Sequence, residues 1–163
     1  MQREWVSVYV GLGANLGEAR QTLDAAVKAI DKLPHTRVLQ CSSFYRSAPV
    51  DATGPDYINA VLHLETRLHA YEALEAFQSL ENKAGRERPY RNAPRTLDID
   101  LLLFGDATIQ SPVLTVPHPR MRERAFVLKP LSELSPRWVS AQDLQSVQSQ
   151  AIEKLDASSS DDL

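Results

Sequence analysis

Segments with the two-residue periodicity of strands and segments with the spacing of amphipathic helices alternate along this chain in an order that few folds accommodate. The strand patterns lie at Trp5–Val10, Val38–Arg46, Ile58–Thr66 and Leu97–Phe104. The helix patterns lie at Glu18–Leu33 and Ala70–Lys83. The order βαββαβ is typical of the split βαβ, ferredoxin-like arrangement. We therefore predict an α+β fold with a mostly antiparallel sheet and helices packed on one of its faces.

Extra elements follow this core. The segment Glu123–Leu134 is predicted to be partly helical, and Leu144–Leu155 has the pattern of a weaker amphipathic helix. A chain of 163 residues, 43% of them hydrophobic, has the size of one compact domain, and we expect a single domain over residues 1–156. The last residues, 157–163, read ASSSDDL and have the polar composition of a disordered tail.

The charge and the cysteine content limit the possible partners and compartment. A net charge of −3 gives no general attraction to nucleic acid or to anionic membranes. The single cysteine, Cys41, cannot form an intramolecular disulfide, which fits a reducing compartment. The opening residues lack the pattern of a signal peptide, and no later run has the ~18 apolar residues that span a bilayer. We expect a cytoplasmic monomer that binds neither nucleic acid nor membrane.

Two carboxylates interrupt the apolar segment PRTLDIDLLLFG, residues 94–105. Alternate side chains of a strand share a face, so Asp98 and Asp100 are predicted to lie side by side. Ionised carboxylates so close together repel each other unless cations compensate them. Arginines flank the segment on both sides, at Arg86, Arg88, Arg91, Arg95, Arg120, Arg122 and Arg124. Carboxylates suit Mg²⁺ and arginines suit phosphate oxygens, so the pattern favours a nucleoside triphosphate site.

Other interpretations of the carboxylates stay open at this stage. Asp98 and Asp100 could be the charged face of an edge strand, where charge discourages aggregation. Arg95 could form a structural ion pair with either of them. A β-bulge in the run LLLF could also turn the strand and separate the two side chains.

The glycine-rich stretch GLGANLG, Gly11–Gly17, lies between a predicted strand and a predicted helix. Its spacing differs from the dinucleotide fingerprint GxGxxG, and no P-loop motif is present in the sequence. We favour a plain turn in which Asn15 caps the following helix. An NADP-dependent enzyme that uses this stretch is one alternative. A ferredoxin-like RNA-binding or ligand-binding module is another, although the aromatic strand pattern of RNA-binding domains is missing.

Several motifs together resemble the 6-hydroxymethyl-7,8-dihydropterin pyrophosphokinases, which act before dihydropteroate synthase in folate synthesis. The resemblance extends from about Val8 to Leu134 and rests on GLGANLG, SSFYRSAPV, PDYINAVLHLET, PRTLDIDLLLFG and LTVPHPRMRERAFVLKPL. It implies a ferredoxin-like fold and transfer of the β,γ-pyrophosphoryl unit of ATP to the hydroxymethyl oxygen of the pterin, with release of AMP. It also implies that Asp98 and Asp100 bind two Mg²⁺ ions.

The resemblance further implies roles for individual side chains. The catalytic set would be Arg86, Arg95, Asp98 and Asp100. The ATP-binding set would be Gln78, Glu81, Arg88, Arg91, Leu101, Thr115, His118 and Arg124. The pterin-binding set would be Ser47, Ala48, Val50, Tyr57, Asn59 and Phe126, with Tyr57 and Phe126 on either side of the ring. A lone Tyr or Phe is also the kind of residue that fills a core.

The chain departs from the family pattern at three places. Asn92-Ala93 replaces an aromatic residue followed by glycine, Pro119 replaces an aromatic residue, and Val113 stands where some members have a basic residue. These changes predict weaker loop closure or weaker ATP affinity. We expect the reaction itself to be retained, because both aspartates and the central Arg and His are present.

Overall fold

The structure, a computed structural model, describes residues 3–15, 18–48, 56–86 and 97–155. The strands are β1 Val6–Ala14, β2 Thr36–Cys41, β3 Tyr45–Ser47, β4 Tyr57–Thr66, β5 Asp98–Phe104, β6 Ile109–Gln110, β7 Thr115–Val116 and β8 Ile152–Lys154. The helices are α1 Ala19–Asp31, α2 Ala70–Arg86, α3 Ala125–Leu134 and α4 Ala141–Ser146. The predicted tail at residues 157–163 lies outside the described part of the chain.

The main sheet has the strand order β5-β1-β4-β3-β8, and β2 also pairs with β4. Every pairing between these strands is antiparallel. Strands β6 and β7 form a separate two-stranded hairpin. Helix α1 follows β1 and helix α2 follows β4, so each helix connects strands that are not neighbours. The predicted α+β, ferredoxin-like arrangement is confirmed.

Helices cover both faces of the sheet, so the prediction of helices on one face is wrong. Helices α1 and α2 pack on one face in a core that includes Val8, Leu23 and Phe77. Helix α3 packs on the other face in a second core, where Leu128 and Leu131 are fully buried. The central strands β1, β4 and β5 are apolar on both faces, and burying a leucine is worth about 1.5–3 kcal/mol. The second apolar face therefore requires a second helical layer.

The predicted strand Val38–Arg46 is interrupted where β2 ends at Cys41 and β3 begins at Tyr45. At the break, the Ser42 N–H donates to the Val61 carbonyl at 2.9 Å, and the Ser42 hydroxyl accepts the Val61 N–H at 2.9 Å. A side-chain oxygen thus takes the donor that a backbone carbonyl would take in a regular ladder. The sequence between the two strands consequently bulges out of register.

The predicted helix Leu144–Leu155 is also wrong. Helix α4 ends at Ser146, and it begins at a capping box in which the Ser140 hydroxyl and the Asp143 carboxylate each accept the other residue's N–H. The following segment becomes β8, which pairs with β3 at the edge of the sheet. Pairing with β3 is a long-range effect that the local periodicity does not contain. None of the helices within the described ranges has the length and apolar composition needed to cross a membrane.

Candidate active site

Asp98 and Asp100 lie on the same face of β5. Asp98 is opposite Gly13 of β1, and Asp100 is opposite Gly11. Ile99, between them, is buried in the core on the other face. The two half-buried carboxylates therefore face the side of the sheet that α3 covers further along.

A β-bulge does occur in β5, but it lies beyond the carboxylates. Leu101 is opposite Val10 and Leu103 is opposite Tyr9, so Leu102 is an extra residue. Both Leu102 and Leu103 consequently face the second core. The pairing from Asp98 to Asp100 is regular, so the bulge does not separate the two carboxylates.

The glycines of β1 lie inside the strand, not in a turn. The predicted end of this strand at Val10 is wrong, because Leu12 and Ala14 continue its buried face as far as Ala14. The prediction that Asn15 caps α1 is also wrong, since Glu18 is the N-cap and makes no side-chain cap bond. The antiparallel neighbours of β1 differ from the parallel sheet of a dinucleotide-binding domain.

The glycines instead form the floor of a cavity of about 490 Å³ beside the two aspartates. A Cβ on Gly13 would come within 3.2 Å of Asn59 Nδ2, a tight contact. A Cβ on Gly11 would meet Leu102 at an ordinary 3.7 Å. The cavity is also lined by Ser47, Ala48, Tyr57, Asn59, Arg124 and Phe126. The structure thus brings together every predicted pterin-binding residue except Val50, which lies outside the described residues.

Asn59 has a fixed orientation in this first cavity. Its side chain is 4% exposed, and its Oδ1 accepts a 2.7 Å hydrogen bond from the Ser47 hydroxyl. Because the carbonyl oxygen is engaged by Ser47, the amide NH₂ lies toward Gly13. The aromatic rings of Tyr57 and Phe126 line the same space. A cavity wall with two aromatic rings and one oriented amide is suited to a flat heterocycle.

A second cavity, of about 420 Å³, lies between α2, β5 and the β6–β7 hairpin. It is lined by Leu74, Gln78, Glu81, Leu101, Leu114, Thr115 and His118, and by Asp98 and Asp100. Glu81 Oε2 accepts the Ile99 N–H at 2.6 Å, so α2 is joined to β5 between the two aspartates. Asp98 and Asp100 line both cavities and therefore stand between them.

His118 lines the second cavity beside Asp100. Its backbone N–H donates to the Leu102 carbonyl at 2.9 Å, and its Nδ1 accepts the Arg120 N–H at 3.2 Å. Burial lowers the pKa of His118 below its ordinary 6.5; Asp100 opposes this shift, and Arg124 and Arg120 add to it. The imidazole is therefore neutral at pH 7. Because Nδ1 accepts a hydrogen bond, the ring proton is on Nε2.

Arg124 lines two adjoining cavities of the site. It is the residue before α3, and its guanidinium lies 5.4 Å from the centroid of the Phe126 ring. It lines the first cavity and also an adjoining third cavity of about 370 Å³, which Arg120 and Gln150 line as well. Arg124 also acts on the pKa of His118, which lines the second cavity. Its positive charge therefore lies at the first and third cavities, near enough to His118 to help lower the pKa of that imidazole.

Some predicted residues are not described, and some lining residues were not predicted. Arg88, Arg91 and Arg95 lie outside the described residues, and so does the side chain of Arg86, the last residue of α2. Sequence reasoning missed the roles of Gly11 and Gly13 as the cavity floor, although the alternation Val8-Val10-Leu12-Ala14 was a signal for a strand passing through them. It also missed lining residues at Leu74, Ile99, Ser111 and Leu114. Of the departures, Val113 is 68% exposed and lines the second cavity together with Pro119.

The donor set has the character of a magnesium site. Within the described ranges, no group of three His, Cys, Asp or Glu side chains could by itself hold a metal ion. Mg²⁺ does not need such a cage, because it binds through one or two carboxylates and takes its other ligands from water and substrate phosphates. Asp98 and Asp100 supply two hard oxygen donors at the boundary of two cavities. These residues therefore fit the ion.

A ferredoxin-like α+β fold with two cavities that share a pair of carboxylates is suited to a transferase that joins two small substrates. A family model described as 7,8-dihydro-6-hydroxymethylpterin-pyrophosphokinase (HPPK) matches residues 9–136. The chain belongs to this family.

Individual relatives agree with the family match. A Pseudomonas aeruginosa protein named 2-amino-4-hydroxy-6-hydroxymethyldihydropteridine pyrophosphokinase is 46% identical over 130 residues, which are 79% of this chain and 80% of the relative. A Haemophilus influenzae protein of the same name is 42% identical over 151 residues, which are 92% of this chain and 91% of the relative.

Solved structures support the fold. A crystal structure of an HPPK-DHPS in complex with substrates superposes with a TM-score of 0.69 at 12% identity, covering 91% of this chain and 43% of that chain. A Plasmodium falciparum HPPK-DHPS triple mutant gives a TM-score of 0.60 at 13% identity, over 80% of this chain and 40% of that one. This chain thus spans less than half of each of these solved chains.

Proposed function

We propose that this chain transfers the β,γ-pyrophosphoryl unit of ATP to the hydroxymethyl oxygen of 6-hydroxymethyl-7,8-dihydropterin, releasing AMP, with Asp98 and Asp100 at the reaction centre. Membership of the HPPK family supports the reaction and its place in folate biosynthesis. The observation that carries the residue assignment is that both aspartates line both cavities. Carboxylates in this position would lie beside both substrates, close to the bond that forms to the pterin oxygen and the bond to AMP that breaks.

The first cavity would bind the pterin. Its ring would stack on Tyr57 and on the face of Phe126 that is turned away from the Arg124 guanidinium. The Asn59 NH₂ would donate to an acceptor on the amide-like edge of the pterin, since the Ser47 hydroxyl already occupies Oδ1. Ala48 and Val50 would complete this wall with Ser47. An uncharged flat ring would thereby gain stacking and one oriented polar contact.

The second cavity would bind ATP. Leu101 and the hairpin residue Thr115 would contact the adenosine, with Gln78 and Glu81 on α2. The His118 Nε2–H would hold phosphate oxygens from within this cavity, and the Arg124 guanidinium would hold them from the side of the first and third cavities, which it lines. We also assign the undescribed side chains of Arg86, Arg88, Arg91 and Arg95 to the triphosphate, because α2 ends and β5 begins at this cavity.

Asp98 and Asp100 would hold two Mg²⁺ ions. When bound, such ions neutralise triphosphate charge and polarise the phosphoryl group under attack. The chain's own contribution is to place the hydroxymethyl oxygen in line with the β-phosphorus and to keep cationic donors on the phosphate oxygens. Attack by the alcohol forms the new P–O bond, the bond to AMP breaks, and the alcohol proton leaves to solvent or a phosphate oxygen. No covalent enzyme intermediate is needed.

We further infer the setting in which the reaction takes place. The chain would act as one domain over residues 1–156, as a monomer in the cytoplasm. The length of 163 residues supports the single domain, and the lone cysteine supports the reducing compartment. Size-exclusion chromatography with light scattering at working concentrations tests the monomer, which would elute near 18.2 kDa.

The direct test is product formation by the purified protein. Incubation with ATP, Mg²⁺ and 6-hydroxymethyl-7,8-dihydropterin should give AMP and the pterin diphosphate in equal amounts. Omission of Mg²⁺ or of the pterin should abolish AMP formation. Binding of ATP and pterin without AMP would instead identify a binding module, and formation of ADP would identify a single-phosphoryl kinase.

A further inference from the structure

Gln150 bonds the main chain on both sides of Arg124. Its Oε1 accepts the Ala125 N–H at 2.8 Å, and its Nε2 donates to the Glu123 carbonyl at 2.7 Å. The side-chain amide of Gln150, 27 positions after Glu123 and 25 after Ala125, therefore uses both of its polar ends on the residues that flank a site arginine.

Gln150 provides a hydrogen-bond acceptor for the first N–H group of α3. The first N–H groups of a helix have no partner within the helix. Arg124 is the N-cap of α3, in extended conformation with φ −125° and ψ 115°, and it makes no side-chain cap bond. Gln150 supplies the acceptor for Ala125, the first residue of the helix. The Arg124 carbonyl itself accepts from Val127 and Leu128, at 3.1 and 3.0 Å. The backbone of Arg124 is therefore held before, at and after the residue.

The position of Gln150 is in turn set by the sheet. Two residues later, Ile152 of β8 pairs with Ser47 of β3, and Ser47 is the residue that orients Asn59 in the first cavity. The segment before β8 thus connects the β3 side of that cavity to the start of α3. Gln150 and Arg124 line the same adjoining cavity.

From these contacts we propose that Gln150 is a positioning residue, which acts through Arg124 to hold the guanidinium where the phosphate oxygens of ATP bind. This proposal depends on the proposed function, because that function is what makes ATP the ligand of Arg124. An arginine side chain has many rotamers, so a backbone fixed on both sides reduces the number of places its guanidinium can reach. The C-terminal segment is then part of the site and not only an edge of the sheet.

The main test compares Gln150→Ala with Gln148→Ala, an exposed glutamine on the same segment. Loss of two ordinary hydrogen bonds predicts a fall in kcat/KM for ATP of about four- to hundredfold for Gln150→Ala. The KM for the pterin should change less than kcat/KM for ATP, although Arg124 also lines the first cavity. Gln148→Ala should match the wild type.

A double variant separates positioning from a general structural effect. If Gln150 acts through Arg124, then adding Gln150→Ala to Arg124→Ala should cause no further loss of kcat/KM. Multiplicative losses in the double variant would overturn the proposal. So would wild-type kinetics in Gln150→Ala, or equal losses for ATP and for the pterin.

Hydrogen exchange gives a readout that does not depend on turnover. The Ala125 amide should exchange about tenfold faster or more in Gln150→Ala than in Gln148→Ala, and ¹⁵N relaxation should show a more mobile Arg124 Nε–H. Unchanged exchange and unchanged Arg124 mobility would overturn the proposal. A wild-type protein that makes no AMP would refute the proposed function, and these two measurements would still decide whether Gln150 positions Arg124.

Discussion

Asp98 of β5 lies directly opposite Gly13 of β1, so a carboxylate faces a position that has no side chain. Asp100 and Gly11 repeat this relationship two residues further along. On the opposite face, the same two strands place Leu12 and Ile99 in the core. The sheet therefore stays fully packed on one side while it leaves room around the carboxylates on the other.

This relationship predicts that the two glycines differ in their tolerance of substitution. A methyl group at residue 13 would press on Asn59 Nδ2 at 3.2 Å, and Asn59 cannot retreat freely because Ser47 holds its Oδ1. We expect Gly13→Ala to raise the KM for the pterin about tenfold, the effect of a misplaced polar contact worth about 1.4 kcal/mol. Steady-state kinetics at saturating ATP measure this change.

Gly11→Ala is the matched control for that measurement. Its Cβ would make an ordinary 3.7 Å contact with Leu102 and would not meet Asn59. Its effect on the KM for the pterin should be several times smaller. Equal effects of the two substitutions, or a larger effect at Gly11, would contradict the assignment of Asn59 to the pterin.

The second cavity depends on a bond between α2 and the β6–β7 hairpin. The Tyr71 hydroxyl donates to Ser111 Oγ at 2.9 Å, and Ser111 also bonds the backbone of Leu114, which lines the cavity. Tyr71→Phe removes this link and leaves the ring. We expect the KM for ATP to rise about two- to tenfold, the range for one hydrogen bond, with kcat and the KM for the pterin nearly unchanged.

Tyr9→Phe serves as the control for this prediction, because Tyr9 stacks on His63 in the second core and does not line the nucleotide cavity. It should leave the KM for ATP as in the wild type. A Tyr71→Phe enzyme with an unchanged KM for ATP would show that the hairpin does not need α2 to shape the cavity.

His63 predicts a pH dependence of stability away from the site. Its ring stacks on Tyr9 at 4.5 Å, and its Nε2 lies 2.7 Å from the Ser7 hydroxyl. Burial lowers the pKa of His63 below its ordinary value of 6.5, while Glu65 opposes the shift. Between the folded and unfolded pKa values, the unfolded chain binds more protons. The free energy of unfolding should therefore fall as the pH drops below about 6.5.

Denaturant unfolding between pH 5 and 8 measures this dependence. Replacement of the ring by His63→Gln removes its titration, so the fall between pH 7 and pH 5.5 should be smaller in the variant than in the wild type. A steeper fall in the variant would mean that the pKa of His63 is raised in the folded protein.

Local sequence patterns were sufficient for the βαββαβ order of the core and for the carboxylate pair. The alternation around Asp98 and Asp100 is a two-residue period, and the structure keeps it intact up to Asp100. The apolar run LLLF does not alternate with polar residues, and the bulge at Leu102 accommodates it by placing both Leu102 and Leu103 in the second core. Both features depend only on a few neighbouring residues, so the sequence alone is enough to indicate them.

The features that the local patterns do not predict depend on contacts between residues far apart in the chain. The break after β2 depends on the hydrogen bond between Ser42 and Val61. Strand β8 forms because its backbone pairs with β3 at the edge of the sheet. The link from Gln150 to the start of α3 joins segments far apart in the chain. No local period encodes these pairings, so the C-terminal part was predicted as a helix. The cavity floor escapes a local analysis for a different reason, because glycine is a general signal for a turn and only the pairing of β1 shows that these glycines lie within a strand.

Replacement of each aspartate by its uncharged isostere tests the central claim most directly. Asp98→Asn and Asp100→Asn should each lower the rate of AMP formation by about a hundredfold or more, the scale for losing a preorganised electrostatic group. The free energy of unfolding should stay within about 1 kcal/mol of the wild type. The exposed Asp106, just past the end of β5, provides the control Asp106→Asn, which should keep full activity. Turnover within a few-fold of the wild type in both variants, or activity lost only in step with stability, would contradict the account.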